Sequence, residues 1–215
     1  MSDRLAQLAE LAKWSASHGL DLTPAQRDSL HKYLELLDIW SVRLALVGAA
    51  ERPLLVRKHL ADSLFAAAHC PTGGCGADLG SGAGLPGIPV AIARPRLNID
   101  LVESRGKKVS FLIQATQDIP NATPVGRRIE SLAPAAYDFV LARALAPLER
   151  LLPMCVPLLR SGGTILALKS SSFRDELARV DLEDAGLELA EVLSYDLPSG
   201  ESRELLKLIA VCRST

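Results

Sequence analysis

The chain has 215 residues, 48% of them hydrophobic and only 4% aromatic, and its 24 Lys and Arg residues nearly balance 25 Asp and Glu residues. This length and apolar content exclude a largely disordered chain and predict one large domain, or one domain with an appendage, around an aliphatic core. The formal net charge of −1 argues against a strongly cationic nucleic-acid binder, provided that the charges are evenly distributed.

The first part of the chain, residues 1–70, is predicted to be a helical extension. Apolar residues recur every three or four positions near the N-terminus, a spacing typical of an amphipathic helix. A second helix is predicted to begin after Thr23, with Pro24 at its first position and Gln26 completing a capping box. A third helical stretch is expected over residues 53–69.

The composition changes after the turn cluster Pro71-Thr72-Gly73-Gly74, and residues 71–215 are predicted to form a second unit. Strands are expected at 77–79, 98–103, 137–142, 163–169, 188–195 and 205–212, and helices at 86–93, 107–117, 148–159 and 173–185. Repeated β–α units predict a mostly parallel sheet with helices on both faces, an α/β fold. The last two strands have no helix between them, which predicts an antiparallel strand at one edge.

The cysteines and the chain start indicate a cytoplasmic protein. Cys70, Cys75, Cys155 and Cys212 are scattered, without the spacing of a zinc site or a disulfide framework, so we expect mostly buried thiols and no metal. The N-terminus lacks the apolar core of a signal peptide, and the apolar runs are too short to span a membrane.

The most informative local feature is a glycine-rich loop where a strand passes into a helix. Glycines tolerate positive φ and let a ligand approach the backbone without meeting a Cβ atom. The spacing Gly82-x-Gly84-x-x-Gly87 matches a dinucleotide pattern, which is weak evidence alone. Gly80-x-Gly82-x-Gly84, with Asp78 two residues ahead, is typical of methyltransferases that use S-adenosylmethionine (SAM), where the acid helps to orient the cofactor's amino-acid end.

The methyltransferase interpretation accounts for more of the surrounding sequence. Its first glycine, Gly80, comes where the strand ends, and Glu103 ends the next strand, where a carboxylate can accept hydrogen bonds from both ribose hydroxyls. The alternative is a nicotinamide-dependent reductase that binds its cofactor through Gly82-x-Gly84-x-x-Gly87.

At this point the sequence resembles a specific family. The stretches DLGSGAGLPGIPVAIARP, LVESRGKKVSFL, RRIES, LARALAPL and ALKS, preceded by RKHLADSL, occur in the order found in the bacterial 16S rRNA guanine-N7 methyltransferases, the RsmG or GidB (glucose-inhibited division protein B) family. The resemblance implies a class I SAM-dependent methyltransferase fold, Rossmann-like with a seven-stranded sheet, and an N-terminal helical extension. It also implies transfer of a methyl group from SAM to N7 of the guanine at position 527 of 16S rRNA.

Site residues follow from the glycine pattern and the resemblance together. The expected cofactor-binding residues are Asp78, Gly80, Gly82, Gly84, Leu85, Glu103, Ile129, Glu130 and Arg143. Among them, Ile129 and Glu130 match the pair that lines the family's adenine pocket, and Arg143 matches an arginine that faces the active site. The residues expected to face RNA are Arg57, His59, Lys107, Lys108, Arg143 and Lys169. One departure is Ala45-Leu46-Val47, where members often carry Asn-Leu-Thr, so no polar role is carried over to that loop.

The absence of two motifs narrows the choice of the atom that is methylated. Methylation at C5 of a pyrimidine needs a cysteine nucleophile, and no cysteine here follows a proline at a strand end. Amino-group methylation usually uses an Asn/Asp-Pro-Pro-aromatic motif, but the corresponding place begins with Arg143-Ala144-Leu145. Guanine N7 has a free lone pair and no proton to remove, so we expect no nucleophile and no acid–base pair, only positioning.

Several alternatives stay open at this stage. His59 could be a surface or interface histidine, and Asp62 could simply pair with His59 or Lys58. Arg143 could be a structural ion-pair partner of Asp138 or Glu149, and Lys107 and Lys108 could be ordinary solvated lysines. The whole protein could methylate another RNA or a small molecule, or it could be a non-catalytic RNA-binding module in ribosome assembly.

The near-neutral net charge conceals two opposed regions. Residues 43–174 hold 16 Lys and Arg against nine Asp and Glu, whereas residues 175–204 hold ten acids against two bases. We therefore expect RNA phosphates on the motif-bearing part and the acidic C-terminal part pointing away. The expected partner is 16S rRNA, within the small ribosomal subunit or an assembly intermediate, and the expected state is a monomer.

Overall fold

The structure is a computed structural model that describes residues 2–211. Its strands are β1 (Gly74–Leu79), β2 (Leu97–Val102), β3 (Ala122–Val125), β4 (Tyr137–Arg143), β5 (Leu159–Lys169), β6 (Leu187–Asp196) and β7 (Ser202–Ala210). Its α-helices are α1 (Ser2–Ser17), α2 (Pro24–Leu44), α3 (Ala61–His69), α4 (Gly87–Ala93), α5 (Gly106–Ala115), α6 (Leu148–Cys155) and α7 (Phe173–Leu177). Short 3-10 helices lie at Arg52–Leu54, Ile129–Ser131 and Val156–Leu158, and a π-helix at Leu55–Leu60 leads into α3.

All seven strands belong to one sheet, in the order β3-β2-β1-β4-β5-β7-β6. The first five strands pair in parallel, and β7 runs antiparallel between β5 and β6. The predicted mostly parallel sheet is thus confirmed, but the prediction of an antiparallel strand at the edge is wrong. The positions of β7 and β6 follow from burial. Leu205, Leu206 and Leu208 of β7 are buried, so this strand lies inside the sheet, whereas Glu188 and Glu191 of β6 are exposed, as suits an edge strand.

The helical extension begins as the capping residues predict. The Gln26 N–H donates to Thr23 Oγ1 at 3.2 Å and the Thr23 N–H donates to Gln26 Oε1 at 2.9 Å, a complete capping box at the start of α2. The buried stripe of α2 (Leu30, Tyr33, Leu34, Leu37 and Ser41) packs into the same core cluster as Ile88 of α4 and Leu101 of β2. The extension is therefore continuous with the apolar layer on one face of the sheet.

Three other expectations need correction. The helix predicted over 173–185 ends at Leu177, and the residues after it form turns in which Asp181 Oδ1 accepts from the Asp184 N–H, a local bond that competes with the helix. Strand β5 begins at Leu159, inside the helix predicted over 148–159. The short edge strand β3, which contains Pro124, was not predicted at all.

The thiols behave largely as expected. Cys70 and Cys155 are buried, and burial raises the pKa of each to about 12, whereas Cys75 is half-buried. Cys212, a predicted buried thiol and the last residue of the final predicted strand, lies outside the described residues. No helix among residues 2–211 combines the length and apolar character needed to cross a bilayer.

Candidate functional site

The carboxyl ends of β1, β2, β4 and β5 meet at one edge of the sheet, and three adjoining hollows lie there. The Glu103 pocket, of about 430 Å³, is lined by Gly80, Glu103, Ile129 and Glu130 among others. The glycine-loop pocket, of about 250 Å³, is lined by residues 80–83 and Leu85 together with Leu46 and Val47. The His59 cleft, of about 560 Å³, is lined by His59, Asp62, Arg143 and Lys169 among others. Gly80 borders the first two hollows, and His59 and Arg143 border the last two.

The loop after β1 requires glycine where the hollows meet. Gly80 has φ +72° and Gly82 has φ +56°, conformations that side chains rarely adopt. A Cβ atom on Gly80 would lie 2.7 Å from Leu145 Cδ1, and one on Gly82 would lie 3.5 Å from Lys108 Nζ. Gly84, predicted to bind cofactor, lines none of these three hollows, and a Cβ atom added to it would meet Ile88 Cδ1 at 2.4 Å.

Hydrogen bonds from two neighbouring elements hold this loop in place. The N–H groups of Gly80 and Ser81 both donate to the Val102 carbonyl at the end of β2, at 2.9 and 3.0 Å. The Tyr33 hydroxyl of α2 donates to the Ala83 carbonyl at 2.8 Å, and burial raises the pKa of that hydroxyl. Tyr33 lies on the buried apolar stripe of α2, and sequence reasoning assigned it no role; its hydroxyl group, which needs a hydrogen-bond partner when buried, was the available signal.

Asp78 lies beneath the loop. Its carboxylate Oδ2 accepts from the Gly87 N–H at 3.0 Å, and its side chain is 1% exposed. Burial raises the pKa of Asp78 to about 6, against the opposing effects of the hydrogen bonds and the Arg143 charge. Among the described residues Asp78 braces the loop from below; its predicted direct contact with a ligand stays a prediction.

The Glu103 pocket gathers residues that are far apart in the sequence. Glu103 Oε1 accepts from the Arg105 N–H at 2.8 Å, and Oε2 lies 3.9 Å from Lys108 Nζ. Ile129 and Glu130, which lie shortly after the C-terminal end of β3, line the same pocket as Glu103. A buried carboxylate, an apolar side chain and a polar rim around one hollow suit a nucleoside, with its paired hydroxyls and flat ring.

Arg143, at the end of β4, forms the wall between the glycine-loop pocket and the His59 cleft. Its Nη1 donates to His59 Nδ1 at 2.8 Å and lies 3.5 Å from Asp62 Oδ2, while its buried Nε has no hydrogen-bond partner within the described chain. The alternative that Arg143 is a structural partner of Asp138 or Glu149 is wrong, because Asp138 pairs with Arg160 and Glu149 pairs with Arg179.

His59 is held in a neutral state by the groups around it. Its Nε2 lies 2.9 Å from Glu51 Oε2, so with Nδ1 accepting from Arg143 the proton belongs on Nε2. Burial and the Arg143 charge lower the pKa of His59 to about 4. The alternative pairing of Asp62 with His59 or Lys58 is not observed, because Asp62 contacts Arg143 and Lys58 pairs with Glu51 and Glu201.

Tyr195 of β6 completes this network, and sequence reasoning missed it. Its hydroxyl donates to Asp62 Oδ1 at 2.5 Å, and its ring stacks on Phe65 with centroids 3.6 Å apart. Because Asp62 also contacts Arg143, a chain of polar contacts runs from the last hairpin to Arg143. The 133 residues between Asp62 and Tyr195 leave no local signal for it.

The residues expected to face RNA divide into two groups. Arg57 and Lys107 are exposed, but Lys108 lines both the Glu103 pocket and the glycine-loop pocket. Lys169 is tied inward, donating to the Ala146 carbonyl at 2.9 Å and to Glu176 Oε2 at 2.6 Å.

The acidic C-terminal part does not point away throughout, contrary to expectation. Glu176 pairs with Lys169, and Glu201 lies 3.1 Å from Lys58. The acidic part thus neutralises two of the cations that line the His59 cleft.

Comparisons with known proteins agree with this arrangement. A family described as rRNA small subunit methyltransferase G (GidB) matches residues 26–206. Proteins named ribosomal RNA small subunit methyltransferase G are similar to this chain in Roseiflexus castenholzii (36% identity over 212 residues, 94% of this chain and 91% of the relative) and in Chlorobium luteolum (40% over 175 residues, 79% and 73%). A third, in Xanthomonas axonopodis pv. citri, is 39% identical over 183 residues, 84% of each chain.

Solved structures share the fold at low sequence identity. A 1,6-didemethyltoxoflavin-N1-methyltransferase from Burkholderia thailandensis, with S-adenosylhomocysteine bound, superposes with a TM-score of 0.60 at 15% identity, covering 85% of this chain and 90% of the other. A SAM-dependent methyltransferase from Aquifex aeolicus gives 0.51 at 14% identity, covering 64% and 82%. These similarities confirm the predicted class I SAM-dependent methyltransferase fold.

Proposed function

The chain belongs to the rRNA small subunit methyltransferase G family, and on this premise we propose that it transfers a methyl group from SAM to N7 of a guanine in 16S rRNA, at position 527. The observation that carries the proposal is the meeting of Gly80, Glu103, Ile129 and Glu130 around one hollow that joins the Arg143 wall. Within this enzyme the expected site residues take the following roles.

The Glu103 and glycine-loop pockets fit SAM. SAM supplies an electrophilic methyl group when it is bound. When SAM is bound, the Glu103 carboxylate would accept hydrogen bonds from the ribose hydroxyls, and Ile129 and Glu130, which line the same pocket, would border the adenine. The Cβ-free surface of Gly80 and Gly82 admits the amino-acid end, with Leu85 as an apolar wall.

The guanine belongs in the His59 cleft. Arg143 lines the cleft with its side chain 19% exposed, so its guanidinium group can donate to guanine O6, which neighbours N7 on the same edge of the base. No base is needed at N7, and His59 fits a positioning role because its neutral imidazole already accepts from Arg143 and its Nε2 faces Glu51. The thiols support a reaction without a covalent intermediate, since Cys155 is buried with a raised pKa and Cys75 lies near the amino end of β1.

The finer assignments belong to the same proposal. We divide the chain into a helical extension, residues 1–70, and a SAM-dependent methyltransferase domain, residues 71–215. The enzyme acts as a monomer in the cytoplasm, on 16S rRNA within the small ribosomal subunit or an assembly intermediate. A guanine in a folded RNA must be accessible to enter the cleft, so an unstacked base is the expected target.

Methyl transfer to ribosomal particles tests the proposal. Small subunits isolated from cells that lack this protein are incubated with the enzyme and radiolabelled SAM, and the product is mapped by mass spectrometry. We expect one methyl group on guanine 527. Binding of S-adenosylhomocysteine without incorporation would favour a non-catalytic RNA-binding module, and binding of NAD(P) in place of S-adenosylhomocysteine would favour the reductase.

A further inference from the structure

Four arginines that carry no predicted role surround the mouth of the Glu103 pocket. Arg105 follows β2, Arg127 and Arg128 follow β3, and Arg150 lies in the first turn of α6, so the carboxyl edge of the sheet brings all four together. Each of them is exposed. With Lys108 they place five cations around a pocket whose lining holds two carboxylates, those of Glu103 and Glu130.

These arginines lack ion-pair partners in the part of the chain that the structure describes. The cations of the neighbouring His59 cleft differ in this respect. Lys58, Arg143, Lys169 and Arg203 each have a carboxylate partner, namely Glu51 or Glu201, Asp62, Glu176 and Glu201. Positive charge that is available to an external anion therefore lies on the Glu103 side of the site.

A cluster of unpaired guanidinium groups repels itself unless anions neutralise it. A guanidinium group donates two parallel hydrogen bonds to a phosphate, and exposed arginines on one surface match the spaced charges of a nucleic-acid backbone. The two carboxylates of the pocket do not cancel this charge, because they stand against five cations, and the buried Glu103 lies 3.9 Å from Lys108 rather than beside one of the arginines' side chains.

We propose that Arg105, Arg127, Arg128 and Arg150 form a landing surface for the phosphodiester backbone of the substrate RNA. The proposal rests on the proposed function and adds the path of the RNA to it. The backbone crosses the mouth of the Glu103 pocket, and the His59 cleft, whose cations are largely neutralised, receives the base. All four arginines lie within residues 43–174, the part of the chain that was expected to meet RNA phosphates, but none of them was among the residues expected to face RNA.

The salt dependence of RNA binding tests the landing surface. An unmodified transcript of 16S rRNA is titrated with wild-type protein and with the Arg127→Ala/Arg128→Ala variant at 50 to 200 mM KCl. Each lost phosphate contact lowers the slope of log K against log salt by about 0.7 to 0.9. Between these two salt concentrations the wild-type affinity should therefore fall roughly 7- to 12-fold more than the variant affinity, if each arginine contacts one phosphate.

Arg96→Ala is the control for the loss of an exposed arginine, because Arg96 precedes β2 at the opposite edge of the sheet. Its salt slope should match that of the wild type, and Arg127→Lys/Arg128→Lys should retain most of the slope. Because Arg127 and Arg128 border the Glu103 pocket, the RNA titrations are carried out without cofactor, and calorimetry with S-adenosylhomocysteine records any change in cofactor affinity separately.

Three results would overturn the proposal. One is an unchanged salt slope in the alanine variant, and another is an equal loss of slope in Arg96→Ala. The third is that the alanine variant binds small subunits more weakly but binds the naked transcript as tightly as the wild type does. The arginines would then contact a ribosomal protein rather than RNA. Failure of the proposed function is separate, because it would show as RNA binding with a normal slope but no methyl incorporation by the wild type.

Discussion

Replacing Asp78 by Asn tests whether the buried carboxylate beneath the glycine loop lowers the stability of the protein. An amide has nearly the same shape as the carboxylate, and its oxygen can still accept from the Gly87 N–H. The difference between the two side chains is therefore mainly the charge, which is buried in the wild type with a pKa raised to about 6.

The sign and size follow from that pKa. Between pH 3.8, the ordinary value, and about 6, the folded state binds more protons at Asp78 than the unfolded state does. The contribution of this group to the free energy of unfolding is therefore present below that range and is lost as the pH rises through it. A shift of about two units corresponds to about 3 kcal/mol at pH 7, a penalty that the asparagine variant does not carry.

His59 titrates in the same range with the opposite sign. Its pKa falls from 6.5 unfolded to about 4 folded, so its contribution to stability rises with pH over that range. The two effects partly cancel in the wild type, and only the difference between wild type and variant isolates Asp78.

Urea unfolding at several pH values between 4 and 7.5, without ligand, measures this difference. The stability of Asp78→Asn relative to wild type should rise with pH by up to about 3 kcal/mol. Asp138→Asn is the control, because the Cys75 N–H and Arg160 lower the pKa of Asp138, so this carboxyl titrates below the pH range used and the stability difference from wild type should stay nearly constant. A difference between Asp78→Asn and wild type that stays constant with pH would refute the reasoning.

Three further predictions concern the site. Gly80→Val places a branched side chain against Leu145 at a residue with positive φ. It should abolish S-adenosylhomocysteine binding in calorimetry and lower the free energy of unfolding in urea by about 1–3 kcal/mol. Unchanged affinity for S-adenosylhomocysteine would contradict the assignment of the loop to the cofactor. Glu103→Gln should weaken that binding by roughly 10- to 150-fold, the loss of about 1.5–3 kcal/mol from a charged acceptor, and equal affinity would remove the ribose role. Tyr195→Phe removes the hydrogen-bond donor to Asp62 Oδ1, while Arg143 still contacts Oδ2, and should cost about 1–3 kcal/mol of stability. The kcat should fall while S-adenosylhomocysteine affinity stays constant; a change in stability alone would mean that the tyrosine is merely structural.

The sequence by itself determined the features whose interactions are local. The capping box of Thr23 and Gln26 spans three residues, and the glycine loop needs a residue type that tolerates positive φ. Glu103 was predictable because the loop and the end of the next strand must lie at the same edge of a parallel sheet. Alternation of apolar runs with helical stretches likewise determined the α/β class, although β3 was too short and too exposed to be recognised.

Only the tertiary structure decided which charges are neutralised and which are free. The net charge counted over residues 175–204 predicted that these acids point away from the RNA. The folded chain instead places Glu176 against Lys169 and Glu201 against Lys58. Asp62 reaches Tyr195 across 133 residues, and β7 inserts beside β5 because its nearly continuous apolar run needs burial on both faces. Electrostatic interactions depend on distance in space, whereas the order of residues records only distance along the chain.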